Sequence, residues 1–103
     1  MIRSPLMRSV ILAMLLATAG CGPIEYITIV TFEASRSVNE AKSVKAGELA
    51  PYEYTAAVEY LHKAREVGGY ARYHEAITFG KKARDFGRDA VRLSRERASE
   101  FHQ

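Results

Sequence analysis

The chain has 103 residues, a formal net charge of +3 and one cysteine, Cys21. That length suits one small domain, and a lone cysteine excludes an internal disulfide, so a hydrophobic core or a partner must hold the fold. Arg3 and Arg8 belong to the first twenty residues; without them thirteen basic residues face twelve acidic ones, and the charge gives no ground for a nucleic-acid partner.

Residues 1–20 read as an export signal. Arg3 and Arg8 hold the start of the chain on the cytoplasmic side. The apolar stretch over residues 9–17 has the length of a secretory h-region and is too short to span a bilayer as a helix. Ala19-Gly20 then offers the small side chains that a peptidase cleft accepts, and Cys21 follows. This segment resembles the bacterial lipobox, with Thr18 standing where leucine is usual. The resemblance implies that lipid is attached to the Cys21 thiol and that cleavage makes Cys21 the first residue of the mature chain. It also implies three acyl chains, in keeping with the need for two or more for stable anchoring. With Gly22 after the cysteine in place of aspartate, it implies the outer membrane of a Gram-negative envelope, the domain facing the periplasm. The competing reading is an ordinary signal peptide cut near Ala19, or an uncleaved anchor, with Cys21 incidental.

Residues 21–23 form a short tether, in which Pro23 suits a first helical position because its missing N–H would be unpaired there. A first helix is predicted over residues 24–46. Ile27, Val30, Ala34, Ser37 with Val38, Ala41 and Val44 recur at three- and four-residue steps. The β-branched run over residues 27–32 competes as a strand, but the helical period continues through Ala41 and no second strand is present to pair with it. Gly47 is expected to end this helix. Pro51 is expected to open the second, over residues 51–67, with Tyr54, Ala57, Val58, Leu61, Ala64 and Val67 on its apolar face. Gly68-Gly69 is expected to break the chain into a tight αα-hairpin.

The third helix is predicted over residues 71–98, and its faces are segregated. Ala76, Gly80, Ala83, Gly87, Ala90, Ser94 and Ala98 share one narrow rib of small residues. Phe79, Phe86 and Leu93 form a bulky rib beside it. Lys81, Arg84, Arg88, Arg92 and Arg95 line a basic arc, and Asp85, Asp89, Glu96 and Glu100 fill the remainder. So wide an apolar arc predicts contact with two neighbouring helices. The second helix spans roughly 25 Å and the third roughly 42 Å, so in an up-down-up arrangement the third outruns the second by about ten residues at its C-terminal end. Residues 89–103 then point away from the membrane, where Val91, Leu93 and Phe101 need a partner unless the first helix covers them. The fold expected is all-α: a three-helix up-down-up bundle over residues 24–103, with a long C-terminal helix, preceded by a lipoprotein signal peptide.

From Leu49 to Phe86 the chain carries Leu49-Ala50-Pro51-Tyr52-Glu53-Tyr54, then Ala57-x-x-x-Leu61-x-x-Ala64-Arg65, then Gly69-Tyr70 and Tyr73-x-x-Ala76-x-x-x-Gly80-x-x-Ala83. This pattern resembles a family of small bacterial envelope domains, found in short lipoproteins and in front of OmpA-like peptidoglycan-binding domains. The resemblance implies a helical bundle and brings no activity with it. The hairpin also looks like half a tetratricopeptide repeat, with Gly80 where an aromatic is usual, but no second copy of the period follows.

Chemistry-bearing residues are sparse. His62 and His74 flank Gly68 and a hairpin could bring them together, yet two histidines without a third ligand make a poor metal site. The sequence carries no Ser/His/Asp arrangement, phosphate-binding glycine loop or CxxC motif, so neither an enzyme nor a cofactor is expected. Glu53, Glu59 and Glu66 are expected to be solvated. Tyr54 and Tyr73 suit the core, while Tyr52, Tyr60 and Tyr70 suit a surface on which aromatics anchor partners. The basic arc has two readings: contact with an acidic protein, lipid headgroups or anionic cell-wall polymer, or a solvated face supported by Asp85–Arg88, Asp89–Arg92 and Arg92–Glu96 pairs. The chain ends on Gln103, so attachment to peptidoglycan through a C-terminal lysine is not expected. These readings together predict a membrane-tethered, non-enzymatic adaptor of an envelope complex. It would bind a protein partner through Arg88, Arg92, Leu93, Arg95 and Phe101. The alternative is a structural lipoprotein that holds peptidoglycan or anionic lipid through the basic arc.

Overall fold

The computed structural model describes residues 4–19 and 21–101, and of residues 17–19, 21 and 22 the backbone alone. Arg3, Gly20, the Cys21 thiol and Gln103 lie outside what is described. The described chain is helical: α1 (Pro5–Ala19), α2 (Cys21–Tyr26), a π-helical segment (Ile27–Ala34), α3 (Ser35–Ser43), the one-turn α4 (Ala46–Leu49), α5 (Pro51–Gly69) and α6 (Tyr73–Phe101). No strand occurs among the described residues. The apolar side chains of α1, from Leu6 to Leu16, are exposed, and among the described residues no helix is long and apolar enough to cross a membrane. The longest dimension is 75 Å. Since the 29 residues of α6 cover only about 43 Å, the rest of that length comes from α1 projecting beyond the start of α2.

Helix α2, the π-helical segment and α3 run on without a break, with right-handed helical dihedrals at Tyr26, Ala34 and Ser35. The β-branched run that competed as a strand is the part that winds wide. Branched side chains crowd the preceding turn of an α-helix, and i→i+5 winding gives them room. Hydroxyl groups flank the change: Thr28 Oγ1 donates to the Ile24 carbonyl at 3.0 Å and Ser35 Oγ to the Val30 carbonyl at 2.9 Å. Such back-bonds compete with the backbone ladder. The wider turn rotates the buried face. Ile29 and Val30 point inward with Tyr26 one turn earlier, whereas Ile27, expected inside, is 47% exposed.

Both helix stops differ from expectation in the same way. Gly47 does not end α3; it lies inside α4, and the left-handed residue is Lys45, at φ 60°. Gly68 and Gly69 are the last residues of α5, and the left-handed residue is Ala71, at φ 61°. There the Arg72 N–H reaches the Val67 carbonyl at 3.1 Å and the Ala71 N–H reaches that of Gly68 at 3.0 Å. That pair of bonds is a Schellman stop with alanine in the place glycine usually takes. Gly68 serves a different need: the Tyr26 ring occupies the space a Cβ would fill. Pro51 opens α5 as expected, with buried Ala50 as its N-cap.

Helix α6 is the spine. On one side α5 returns along it, with Tyr60 ring-stacked on Phe79 (6.1 Å) and Phe86 (5.6 Å). On the other side, contacts ascend together along both chains: Tyr26 with Tyr73, Val30 with Gly80, Ser37 with Gly87. The small-residue rib is buried from Ala76 through Ser94. One core cluster joins Val30, Ala34, Val38, Ala57, Leu61, Ala64 and Ala83, with Tyr26, Tyr54, Tyr60, Phe79 and Phe86 packed around it. A second joins Ala41, Ala46, Ala50, Ala90 and Val91, with Val44, Tyr54 and Leu93. The C-terminal part of α6 is therefore covered as far as Arg97, which donates to the Leu49 carbonyl at the end of α4. Its cover comes from α3, α4 and the connection between α3 and α5. On α5, Val58 is exposed, although it was expected on the apolar face.

Candidate interaction surface

The surface begins where α6 crosses α3. Gly87 has no Cβ, and Ser37 occupies that space. Ser37 Oγ donates to the Arg84 carbonyl at 2.6 Å, tying α3 to α6 through a side chain that is itself buried. The Arg84 side chain turns outward to Asp85 at 3.0 Å and Glu33 at 3.1 Å. Hydrogen bonding to Asp85 is the main cause that holds its guanidinium above an already high ordinary pKa; burial opposes it, and the hydrogen bond to Glu33 adds a smaller rise. Asp85 thus serves Arg84, whereas the sequence had suggested Arg88 as its partner.

Along the same seam lies a groove of about 310 Å³ lined by Phe32, Glu33, Arg36, Ser37, Glu40 and Arg88. Phe32, on the π-helical segment, is 58% exposed. The two acids of the groove are already taken: Glu33 by Arg84, and Glu40 by Arg95 at 3.2 Å. Arg36 and Arg88 have no ion-pair partner among the described residues. The groove therefore offers one aromatic ring together with two guanidinium groups that have no ion-pair partner among the described residues.

The five residues expected to bind a partner are spread out. Arg88 lines the groove. Arg92 is exposed and lies between Asp89 (3.7 Å) and Glu96 (3.4 Å). Arg95 reaches back to Glu40. Leu93 is half-buried against the second core cluster. Phe101, at the far end of α6, is 81% exposed. Phe32 and Arg36 escaped the sequence reading. The signal for Phe32 was its place two residues off the Val30–Ala34–Val38 ladder, which puts an aromatic ring on the outer side. Among the tyrosines, Tyr52 and Tyr70 are exposed as expected, whereas Tyr60 is held between rings of α6, with Lys82 Nζ 5.4 Å from its centroid. His62 and His74 are both exposed, and no group of three potential metal ligands exists among the described residues. No family model, curated protein or solved structure matches the chain.

Proposed function

We propose that this protein is a lipid-anchored adaptor of a bacterial cell envelope, which holds an acidic, partly apolar segment of another envelope protein in the groove around Phe32. The observation that carries this reading is the exposed Phe32 ring in one groove with Arg36 and Arg88, neither of which has a charge partner within the described chain. Aromatic and arginine side chains are the usual anchors of protein interfaces. The order of elements supports the tether: an exposed apolar helix, then Cys21, then a bundle whose core clusters, among the described residues, draw on nothing before Tyr26. On this reading residues 1–20 are removed, Cys21 carries the lipid in the outer membrane, and the domain stands in the periplasm. The three long helical runs are then up, down and up, with Phe101 and the end of α6 directed away from the bilayer. The resemblance of the Ala50-Pro51-Tyr52-Glu53 segment to envelope lipoprotein domains points the same way. A purely electrostatic role for the basic arc is less favoured, because Arg84, Arg92 and Arg95 are already ion-paired.

Two measurements test the proposal. Cys21→Ser should move the protein from the membrane fraction to the soluble periplasmic fraction; unchanged fractionation would remove the lipid anchor. A photo-crosslinking side chain at position 32 should give one discrete adduct in living cells, lost in Arg88→Glu. A control at exposed Glu59, on α5, should give none. If positions 32, 88 and 101 all fail to yield an adduct, the adaptor role is wrong. Point substitutions suit this test better than deletion of residues 89–103, which would strip Ala90, Val91 and Ser94 from the interior.

A further inference from the structure

The geometry points to a foot at the Cys21 end of the bundle, made of Ile24, Ile27 and Tyr70, that lies in the headgroup layer of the bilayer and holds the domain upright on its anchor. The inference rests on the lipid-anchor reading of Cys21. Its first element is the lack of slack. Cys21 is already the first residue of α2, so no flexible tether separates the anchor from the domain. At helical rise, Ile24 lies about 4.5 Å beyond Cys21 along the axis and Ile27 no more than about 9 Å. The headgroup layer on each side of a bilayer is roughly 5–7 Å deep. A lipid at Cys21 therefore brings Ile24 to the membrane surface and leaves Ile27 within reach of it once the helix tilts. Both are large apolar side chains on the outer side of the helix, 62% and 47% exposed.

The second element is the αα-turn. The Tyr26 ring fills the place of the missing Gly68 side chain and lies 5.4 Å from the Tyr73 ring. These contacts fix the end of α5 and the start of α6 beside α2. The Schellman stop with left-handed Ala71 then turns Tyr70 outward, where it is 76% exposed. Arg72, next but one, is also exposed and pairs loosely with Glu75 at 3.7 Å. A tyrosine ring with a polar tip, beside an arginine with an apolar stem, is the combination that favours a membrane–water boundary. Glu25 and Glu66 at this end are exposed and stay in headgroup water. Two isoleucines and a tyrosine rooted on two separate elements resist rocking in a way that a single attachment point does not. That would keep the groove around Phe32 at a set height above the membrane.

The chain contains no tryptophan, so Tyr70→Trp provides a single reporter in the foot and Phe101→Trp a single reporter at the opposite end; both positions are exposed, so neither change disturbs the core. The mature protein, purified from the envelope, is placed in vesicles of phosphatidylethanolamine and phosphatidylglycerol, and lipid on Cys21 is read by mass spectrometry on the same sample. The expected result is a blue-shifted emission at position 70, quenched several-fold more by lipids brominated near the headgroup than the emission at position 101. Adding Ile24→Ser with Ile27→Ser should reduce both the shift and the quenching. A water-like emission at position 70 on protein that does carry lipid overturns the foot and leaves the anchor intact. Equal quenching at both ends also overturns it, because the bundle would then lie flat. Absence of lipid on Cys21 overturns the anchor, and the foot with it.

Discussion

Near Cys21 the space between helices is filled by rings: Tyr26, Tyr60, Phe79 and Phe86 surround Val30, Ala34, Leu61 and Ala83. Beyond Tyr54, which touches both clusters, it is closed by small residues, with Ala41, Ala46, Ala50 and Ala90 all fully buried and Val91 nearly so. The first half fills the space between its helices with bulky rings; the second lines it with small side chains. Both solutions reach dense packing, but they fail in opposite directions. A ring-filled core is harmed by removing atoms, an alanine-lined seam by adding them.

The largest effect should come from truncation in the ring-filled half. Leu61→Ala, at a side chain only 6% exposed, should cost about 2–5 kcal/mol of stability in chemical denaturation. A cost below about 1 kcal/mol would mean that this half collapses as readily as the other and would erase the contrast. Next comes overpacking where α3 crosses α6. In Gly87→Ala the new Cβ meets both the Ser37 side chain and its carbonyl carbon. The expected loss of about 1–3 kcal/mol outweighs the gain of about 1 kcal/mol that alanine brings to a helix interior. If the variant is more stable than the parent, the close approach at Ser37 is not limiting.

Smaller effects sharpen the same picture. Ala71→Gly should stabilise by about 1 kcal/mol, because a left-handed residue with a Cβ carries a strain that glycine lacks. The change should appear in thermal melting with helix content intact. In the alanine-lined half, Ser94 is 1% exposed and its hydroxyl has no hydrogen-bond partner. Ser94→Ala should therefore be neutral or stabilising, by at most about 1 kcal/mol, since it removes a buried polar group that nothing satisfies. A clear loss of stability would mean that the hydroxyl is satisfied in solution.

Much of the architecture was legible because helix packing follows periodicity. The rib from Ala76 to Ala98 was read from spacing alone; its members are buried through Ser94, and Ala98 is half-buried. The bulky rib of Phe79, Phe86 and Leu93 lies beside it as expected, half-buried, because side chains three, four and seven residues apart must share a face. The candidate groove was only half legible. Arg88 was marked by its place on the basic arc. Phe32 was passed over, although its place two residues off the Val30–Ala34–Val38 ladder puts it on the outer side; what spacing does not give is which residues of α6 share the groove with it. Nor could the sequence assign ion partners: Glu33 and Glu40 lie 51 and 55 residues from the arginines they neutralise.

By itself, the sequence determined the helical class, the length and amphipathic faces of α6, the start of α5 at Pro51, and the unique position of the only thiol. These are local properties, set by spacing of three or four residues or by a single ring or sulfur atom. Tertiary structure alone decided which residues take the left-handed positions, since Lys45 and Ala71 do so although glycines stand two residues away. At Gly68 the glycine answers to the Tyr26 ring of another helix, and at Gly87 to Ser37. Contact between distant segments also decided that α6 is covered as far as Arg97, through that residue and the alanines of the α3–α5 connection. Such choices depend on how closely two backbones approach, and no period along one chain encodes that distance.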